Sequence, residues 1–413
     1  MQTQTLAIDF GTSNSAAALP IPGGVYRIPV EHGADTLPTA VFFPAEGGAM
    51  RIGASAAAAL IAGEDGRYMR ALKSVLGLPL LHETRLIAGR RRSLSDVITA
   101  FLSDLRQRSE AATGLRLTKA LSGRPVHFHS ADPDKDAQAE ADLRACYLAA
   151  GFTEVSFLAE PEAAAMAAQG MGATDGLGLI VDIGGGTSDF SVFRSTGGRP
   201  QILASHGIRL GGTDFDQTLS MAHAMPALGL GGQLRRDFGD GLLPVPRGPY
   251  ADLSTWAKIP FLYTAETRRM VSDMARLAVD GPAMARFVRV LEDELGHEIA
   301  FAVERAKIGA NGDGGQGRID LGIVEKGLAR VLETSEMNRD LASNRAALGL
   351  AARDTLNMAG VTPDSIARVI LVGGSSLMGF VSDEMQTLCP KATLLRSEAF
   401  TAVVDGLALA SVS

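Results

Sequence analysis

A chain of 413 residues is too long for one ordinary core and predicts two or three domains. Nearly half its residues are apolar, a fifth are charged and the formal net charge is −7, which argues against nucleic acid as the main partner. No apolar run reaches the ~18 residues a membrane span needs. The N-terminus runs into a strand pattern with no signal-peptide layout, so none is expected. The two cysteines, Cys146 and Cys389, lack the spacing of a metal site, and their scarcity fits a reducing, cytoplasmic setting.

In chain order, residues 6–18 (LAIDFGTSNSAAA) read as a strand ending in an acid, a glycine-bearing turn and a second apolar stretch, hence a hairpin. Lys73 stands in MRALKSVLG, and GRRRS (89–93) reads as a solvated basic turn. A helix is expected at 94–113. His127 and His129 alternate in SGRPVHFHS and would share a strand face, as a packed or solvated pair rather than a metal site. Residues 132–136 (DPDKD) read as an acidic, proline-bearing helix start, with helices following at 137–151 and 161–170. Residues 179–192 (LIVDIGGGTSDFSV) then repeat the plan of 6–18, with strands at 177–182 and 189–193. The segment 225–264 is rich in Gly and Pro, carries the single tryptophan, Trp256, and reads as an irregular excursion. Helices follow at 285–309 and 344–360, a buried strand at 367–372, and a last helix at 400–411.

The two acidic hairpins carry the chemistry. Glycine lets backbone N–H groups approach a ligand, and successive N–H groups in a tight turn form a concavity suited to phosphate. Acids beside a phosphate site make sense when a cation is bound there too, so the pattern points to a magnesium–nucleotide site. No Gly-Lys-Ser/Thr follows the glycines, which excludes a P-loop.

Six motifs in order, DFGTSNS (9–15), AEPEAAA (159–165), DIGGGTSDF (182–190), LGGTDFD (210–216), VERAKIG (303–309) and LVGGSS (371–376), resemble the actin–hexokinase–heat-shock ATPase superfamily over nearly the whole chain. Within it they are most similar to the nucleotide-binding domain of DnaK-type, 70-kDa heat-shock chaperones. SGRPVHF replaces that family's usual Val-Pro-Ala segment and looks like the short bacterial YegD-like branch.

The resemblance implies an α/β, two-lobed actin-like ATPase fold, with duplicated ribonuclease-H-like lobes around a nucleotide cleft. Lobe I would span 1–172 and lobe II 173–413, with an irregular insertion at about 225–300 and a C-terminal helix returning to lobe I. The implied ligands are ATP or ADP with Mg²⁺. Asp9 and Asp182 would hold the metal, through water; the alternative is that each closes its own turn. Gly11, Thr12, Ser13, Asn14, Gly184, Gly185 and Gly186 would cradle the β- and γ-phosphates, with Gly211 and Gly212 beside them. Thr187 and Asp189 would position the attacking water, Lys73 would reach the γ-phosphate, and Glu160 would be a hinge and metal-water contact. Pro161 and an acid at a helix start also have a plain structural explanation. Glu304 and Lys307, at i and i+3, would hold the ribose. Gly373, Gly374 and Ser375 would form the adenosine turn, with Ile308 and Leu377 standing where the family commonly clamps adenine between arginines.

The implied activity is a Mg-dependent ATPase acting as a nucleotide-driven switch. The family's linker and peptide-binding domain are not expected after 400–411. A protein partner would dock on 225–264, with Trp256 and Tyr263 as anchors, or else that segment covers the second lobe. The alternatives are a bacterial actin-like filament protein and a small-molecule kinase of the same superfamily.

Overall fold

The structure, a computed structural model, describes residues 5–168, 176–195, 200–237, 239–396 and 401–412. The chain forms two compact units, one of residues 1–212 with 345–413 and the other of residues 213–344.

The first unit contains two sheets of one topology. In the first, the central strand Thr5–Phe10 pairs antiparallel with Asn14–Ile21, which pairs with Gly24–Arg27; on its other side lie Lys119–Arg124 and Glu154–Ala159, both parallel. In the second, Gly176–Ile183 pairs antiparallel with Ser188–Ser195, which pairs with Gln201–Ile208; the parallel neighbours are Ile366–Val372 and Thr393–Arg396. The repeat seen between the hairpins thus extends through both sheets. The lobe boundary at 172/173 falls on 169–175, outside the described residues.

Local chemistry sets the helix ends. Ser93 and Asp96 form a capping box before helix Leu94–Thr113, which stops at Gly114 in the left-handed region. Asp132 caps helix Pro133–Ala149 with Pro133 in its first turn, the helix start expected at 132–136. His127 and His129 lie beyond strand Lys119–Arg124 and share no strand face: the first reaches Asp136 and the second Leu76. The basic turn is a short hairpin, Arg85–Ile87 with Arg90–Arg92.

Between the sheets the core is built from small residues. Helices Glu160–Ala168 and Ala402–Ala410 share a buried cluster that includes Ala163, Ala164, Val404 and Ala408. They cross with backbones in contact, because a Cβ on Gly406 would lie 1.7 Å from the Ala163 carbonyl oxygen. The Ala402–Ala410 helix also meets the first sheet, where Arg27 donates twice to Asp405, at 2.9 and 2.7 Å.

In the second unit the Gly/Pro-rich segment contains a small hairpin (Gln233–Arg235 with Leu242–Pro244) and a short helix, Gly248–Leu253. The single helix expected over 285–309 is two, Gly281–Glu292 and Gly296–Asn311. The break is held by Tyr263, whose hydroxyl donates to the Glu294 carbonyl and accepts from the Gly296 N–H, both at 3.0 Å. Glu294 takes φ +55°, and a Cβ at Gly296 would sit 2.7 Å from the tyrosine oxygen, so only glycine leaves room for it. Trp256 is 2% exposed, donates to Asp216 at 3.1 Å and packs edge-on against Phe301. Its burial removes it as a surface anchor, and Tyr263 is occupied by the helix break.

Candidate phosphate and nucleotide site

The parallel-sheet topology brings the two hairpin turns together at one end of the first unit, around a pocket of about 110 Å³. The first hairpin supplies Asp9 and the turn Gly11, Thr12, Ser13 and Asn14; the second supplies Asp182, Gly184, Gly185 and Thr187. Gly373, Gly374 and Ser375, after strand Ile366–Val372, form a third wall. Lys73 and Glu160 complete the polar lining. Val372, inside the LVGGSS motif but not among the expected contacts, and Val403 also line it.

Each turn is fixed by packing. Asp9 faces Ala16 across its hairpin, whereas Asp182 faces Asp189. The second turn closes through the Gly184 N–H to the Thr187 carbonyl and is held by the Gly212 N–H to the Gly184 carbonyl, each 3.0 Å. A Cβ on Gly211 would meet the Gly186 nitrogen at 2.6 Å, and one on Gly212 the Ser375 hydroxyl at 2.3 Å. Gly211 and Gly212 therefore press against the back of the cradle and do not line the pocket. Gly373 takes φ +81°, and a Cβ there would lie 2.4 Å from the Ile183 carbonyl oxygen.

The electrostatics are those of several acids around one cation. Lys73 lies on a one-turn helix, Leu72–Val75, entered through Ala71 in the left-handed region. Its ammonium donates to Glu160 at 2.5 Å, with both side chains buried. Burial pulls the lysine down, but the charges of Glu160 and Asp9 outweigh it and its pKa is raised. Burial, with Glu160 next, pushes Asp9 up to about 7 against the opposing pull of Lys73. The same two causes raise Asp189 to about 8, although it accepts the Val126 N–H at 2.8 Å and a bond from Thr187. Burial, then Glu160, Asp189 and Asp9, lift Asp182 well above its ordinary value. One lysine does not neutralise four neighbouring carboxyl groups, and the surplus negative charge suits a divalent cation. Among the described residues no three His, Cys, Asp or Glu side chains converge as a direct ligand set. The donor set fits a metal that keeps much of its water, as Mg²⁺ does.

The remaining expected residues lie elsewhere. Asp189 stands behind Thr187, and Gly186 lines a second, smaller cavity beside the pocket. Leu377 is 39% exposed on the first unit. In the second unit Lys307 is buried and donates to Asp216 at 2.7 Å; burial, and after it Glu304, raise that aspartate against the pull of Lys307. Ile308, one residue on, is 62% exposed. Asp216 is a partner that sequence reading passed over, although it closes the LGGTDFD motif.

Residues 79–226 match the family model described as Hsp70 protein. Over 98% of its length the chain is 28% identical to a "Chaperone protein HscA homolog" of Ralstonia nicotianae, covering 57% of that relative. Proteins of the same description from Laribacter hongkongensis and Pseudomonas aeruginosa are 32% and 34% identical over 52% of the chain. The chain covers 36% of each of those two, so it spans roughly a third to somewhat over half of these relatives' own length. No helix among the described residues is long and apolar enough to cross a membrane.

Proposed function

The chain belongs to the DnaK-type Hsp70 family in its nucleotide-binding region, with that family's actin-like ATPase fold, and from this premise we propose that it binds Mg-ATP in the acidic pocket and hydrolyses it as a conformational switch. The observation that carries the reading is the pocket of about 110 Å³ in which two glycine-bearing turns, the carboxylates Asp9, Asp182 and Glu160, and Lys73 converge.

In this reading the turns Gly11–Asn14 and Gly184–Gly186 cradle the β- and γ-phosphates, the Gly184 N–H itself being taken by the Thr187 carbonyl, with Gly373, Gly374 and Ser375 on the adenosine side. Phosphoryl transfer requires mainly positioning and charge neutralisation, so such a cradle supplies much of the catalysis. Asp9 and Asp182 would hold the metal through its water, and it would supply neutralisation of phosphate charge. Lys73, aimed by Glu160, reaches the γ-phosphate. Thr187 orients the attacking water, and Asp189, hydrogen-bonded to Thr187, accepts the proton when ionised.

Mg-dependent ATP binding and single-turnover hydrolysis test the reading, on wild type, Asp9→Asn, Lys73→Ala and Asp189→Asn. Wild type is expected to bind and cleave, and the variants to retain binding while losing about 100-fold or more in cleavage, the scale of removing an electrostatic or proton-transfer group. Wild type that fails to bind Mg-ATP overturns the reading.

A further inference from the structure

Residues 85–92 hold four arginines and no acid, in a chain whose 46 acids outnumber its 39 lysines and arginines. The nucleotide reading uses none of them. They form the hairpin Arg85–Ile87 with Arg90–Arg92, closed by a two-residue turn in which Ala88 takes φ +46° and Gly89 φ +70°. Such a turn needs positive φ at both positions, and an alanine there is held against its preference.

The hairpin is anchored on its inner side. Ile87 is buried, the Arg92 guanidinium lies 4.8 Å from the centre of the Phe43 ring, and the Leu86 carbonyl accepts from Arg67 at 3.4 Å. Its charge is less well balanced. Register places Arg85 directly opposite Arg92, and like charges facing each other across a ladder destabilise it. Glu83 accepts from Arg85 at 2.6 Å. The side chains of Arg90 and Arg91, both exposed, meet no acid among the described residues. Register also places Leu86 opposite Arg91, so the two share one face, and Leu86 is 66% exposed. An apolar side chain beside a guanidinium, with a second guanidinium next to the turn, makes a preorganised surface. Its complement is a carboxylate next to an apolar residue.

Size and borders select among anionic partners. Each strand has three residues and spans about 10 Å. Exposed acids stand at the borders, Glu83 before the first strand and Asp65 two residues ahead of Arg67. A long nucleic acid or a membrane would meet these acids and the net charge of −7, whereas a short segment would not. We propose that this hairpin docks a short acidic segment of a partner protein, with Arg90 and Arg91 taking its carboxylates and Leu86 an apolar residue between them.

The test is fluorescence anisotropy with the full chain at about 50 mM salt, where surface charge is least screened. The probes are a labelled pentapeptide of four glutamates around one leucine, the same peptide with serine for leucine, and a labelled single-stranded RNA of similar length. Wild type is expected to bind the leucine peptide at least threefold more tightly than either other probe. Arg90→Ser/Arg91→Ser is expected to weaken that binding about tenfold, and Leu86→Ser to reduce it to the level of the serine peptide, with melting temperatures unchanged. Arg276→Ser/Arg318→Ser removes the same charge from exposed positions in the second unit and is expected to change nothing. No binding of the leucine peptide, an equal loss in both double variants, or tighter binding of the RNA overturns the proposal. Wild-type affinity in Arg90→Ser/Arg91→Ser, with self-association in light scattering, overturns it too and would make the arginines guards of a strand edge.

Discussion

Between Phe10 and Asn14 the chain turns with Thr12 and Ser13 carrying side chains; between Ile183 and Ser188 the equivalent turn begins with three glycines. The two turns sit face to face, and that explains the asymmetry. A Cβ on Gly185 would lie 2.5 Å from the Ser13 hydroxyl, and one on Gly186 would lie 3.2 Å from the Thr12 hydroxyl. None of Gly184, Gly185 and Gly186 takes a positive φ. In the second turn glycine therefore provides space for the first turn's side chains, more than conformational freedom. What the hairpins share is acid: Asp9 on one, Asp182 and Asp189 on the other, all raised by burial, with Lys73 as the cation that opposes the rise of all three.

The largest expected effect tests what is shared. Lys73→Met leaves Glu160 buried without its partner, and breaking a buried pair costs about 3–5 kcal/mol. Denaturant unfolding is the measurement. The double variant Lys73→Met/Glu160→Gln is expected to recover more than half of the loss; no recovery would mean that the cost lies in lost packing.

Gly211→Ala tests the support under the bare turn. Its Cβ would meet only backbone, the Gly186 nitrogen at 2.6 Å and the Gly185 carbonyl oxygen at 2.8 Å, so no side chain can move to admit it. Overpacking of this kind costs about 3 kcal/mol. In Gly185→Ala the nearest obstacle is one hydroxyl, and about 1–2 kcal/mol is expected. Adding Ser13→Ala is expected to return at least half of that loss; a coupling near zero would show that the two turns do not press on each other.

The hairpins and their acids were legible in the sequence because each ties a short motif to a fixed strand–turn geometry. The sheet repeat behind them was legible only at its leading strands, since strands such as Gln201–Ile208 and Thr393–Arg396 carry no distinctive residues. The break between Glu292 and Gly296 was missed because apolar spacing continues across it, and the tyrosine that enforces it lies some thirty residues earlier. Composition left Trp256 open between a surface anchor and part of a cover for the second lobe; nothing in its neighbourhood announced the pairing with Asp216, which is made across 40 residues. Arg209 and His129 were equally silent, because their contact joins segments 80 positions apart.

Asp136 sharpens the difference at Asp189, the acid that the first hairpin lacks. Asp189 is held by the Val126 N–H, and the chain just beyond is tied to Asp136 through the Phe128 and His129 N–H groups. Burial alone would raise Asp136, but the hydrogen bonds from His129, His127 and Phe128 and the charge of Arg124 outweigh it and hold it below its ordinary 3.8. A depressed carboxylate contributes stability that is present above its unfolded value and lost as pH falls through its folded value, here below about pH 4. Asp136→Asn is expected to cost about 1 kcal/mol at pH 7 and to converge on wild type as pH falls below the carboxylate range. Denaturation midpoints across that range check it; a constant difference would mean that the carboxylate charge plays no part.

The smallest expected effect on stability is the most informative about the ligand. Within the described structure a Cβ at Gly184 would meet only the Thr187 carbonyl oxygen, at 3.7 Å, an ordinary contact, and its φ is not in the left-handed region. Gly184→Ala is therefore expected to change stability by less than about 0.5 kcal/mol, as for a substitution that breaks no packing, cap or strain rule. Gly184 nevertheless lines the pocket, where a phosphate oxygen would need the space a methyl group takes. A loss of Mg-ATP affinity of tenfold or more in a protein of unchanged melting temperature would mark Gly184 as the one glycine of the three kept for ligand approach. Unchanged affinity would mean that all three serve the packing of turn against turn, and that phosphate is held by the other walls of the pocket.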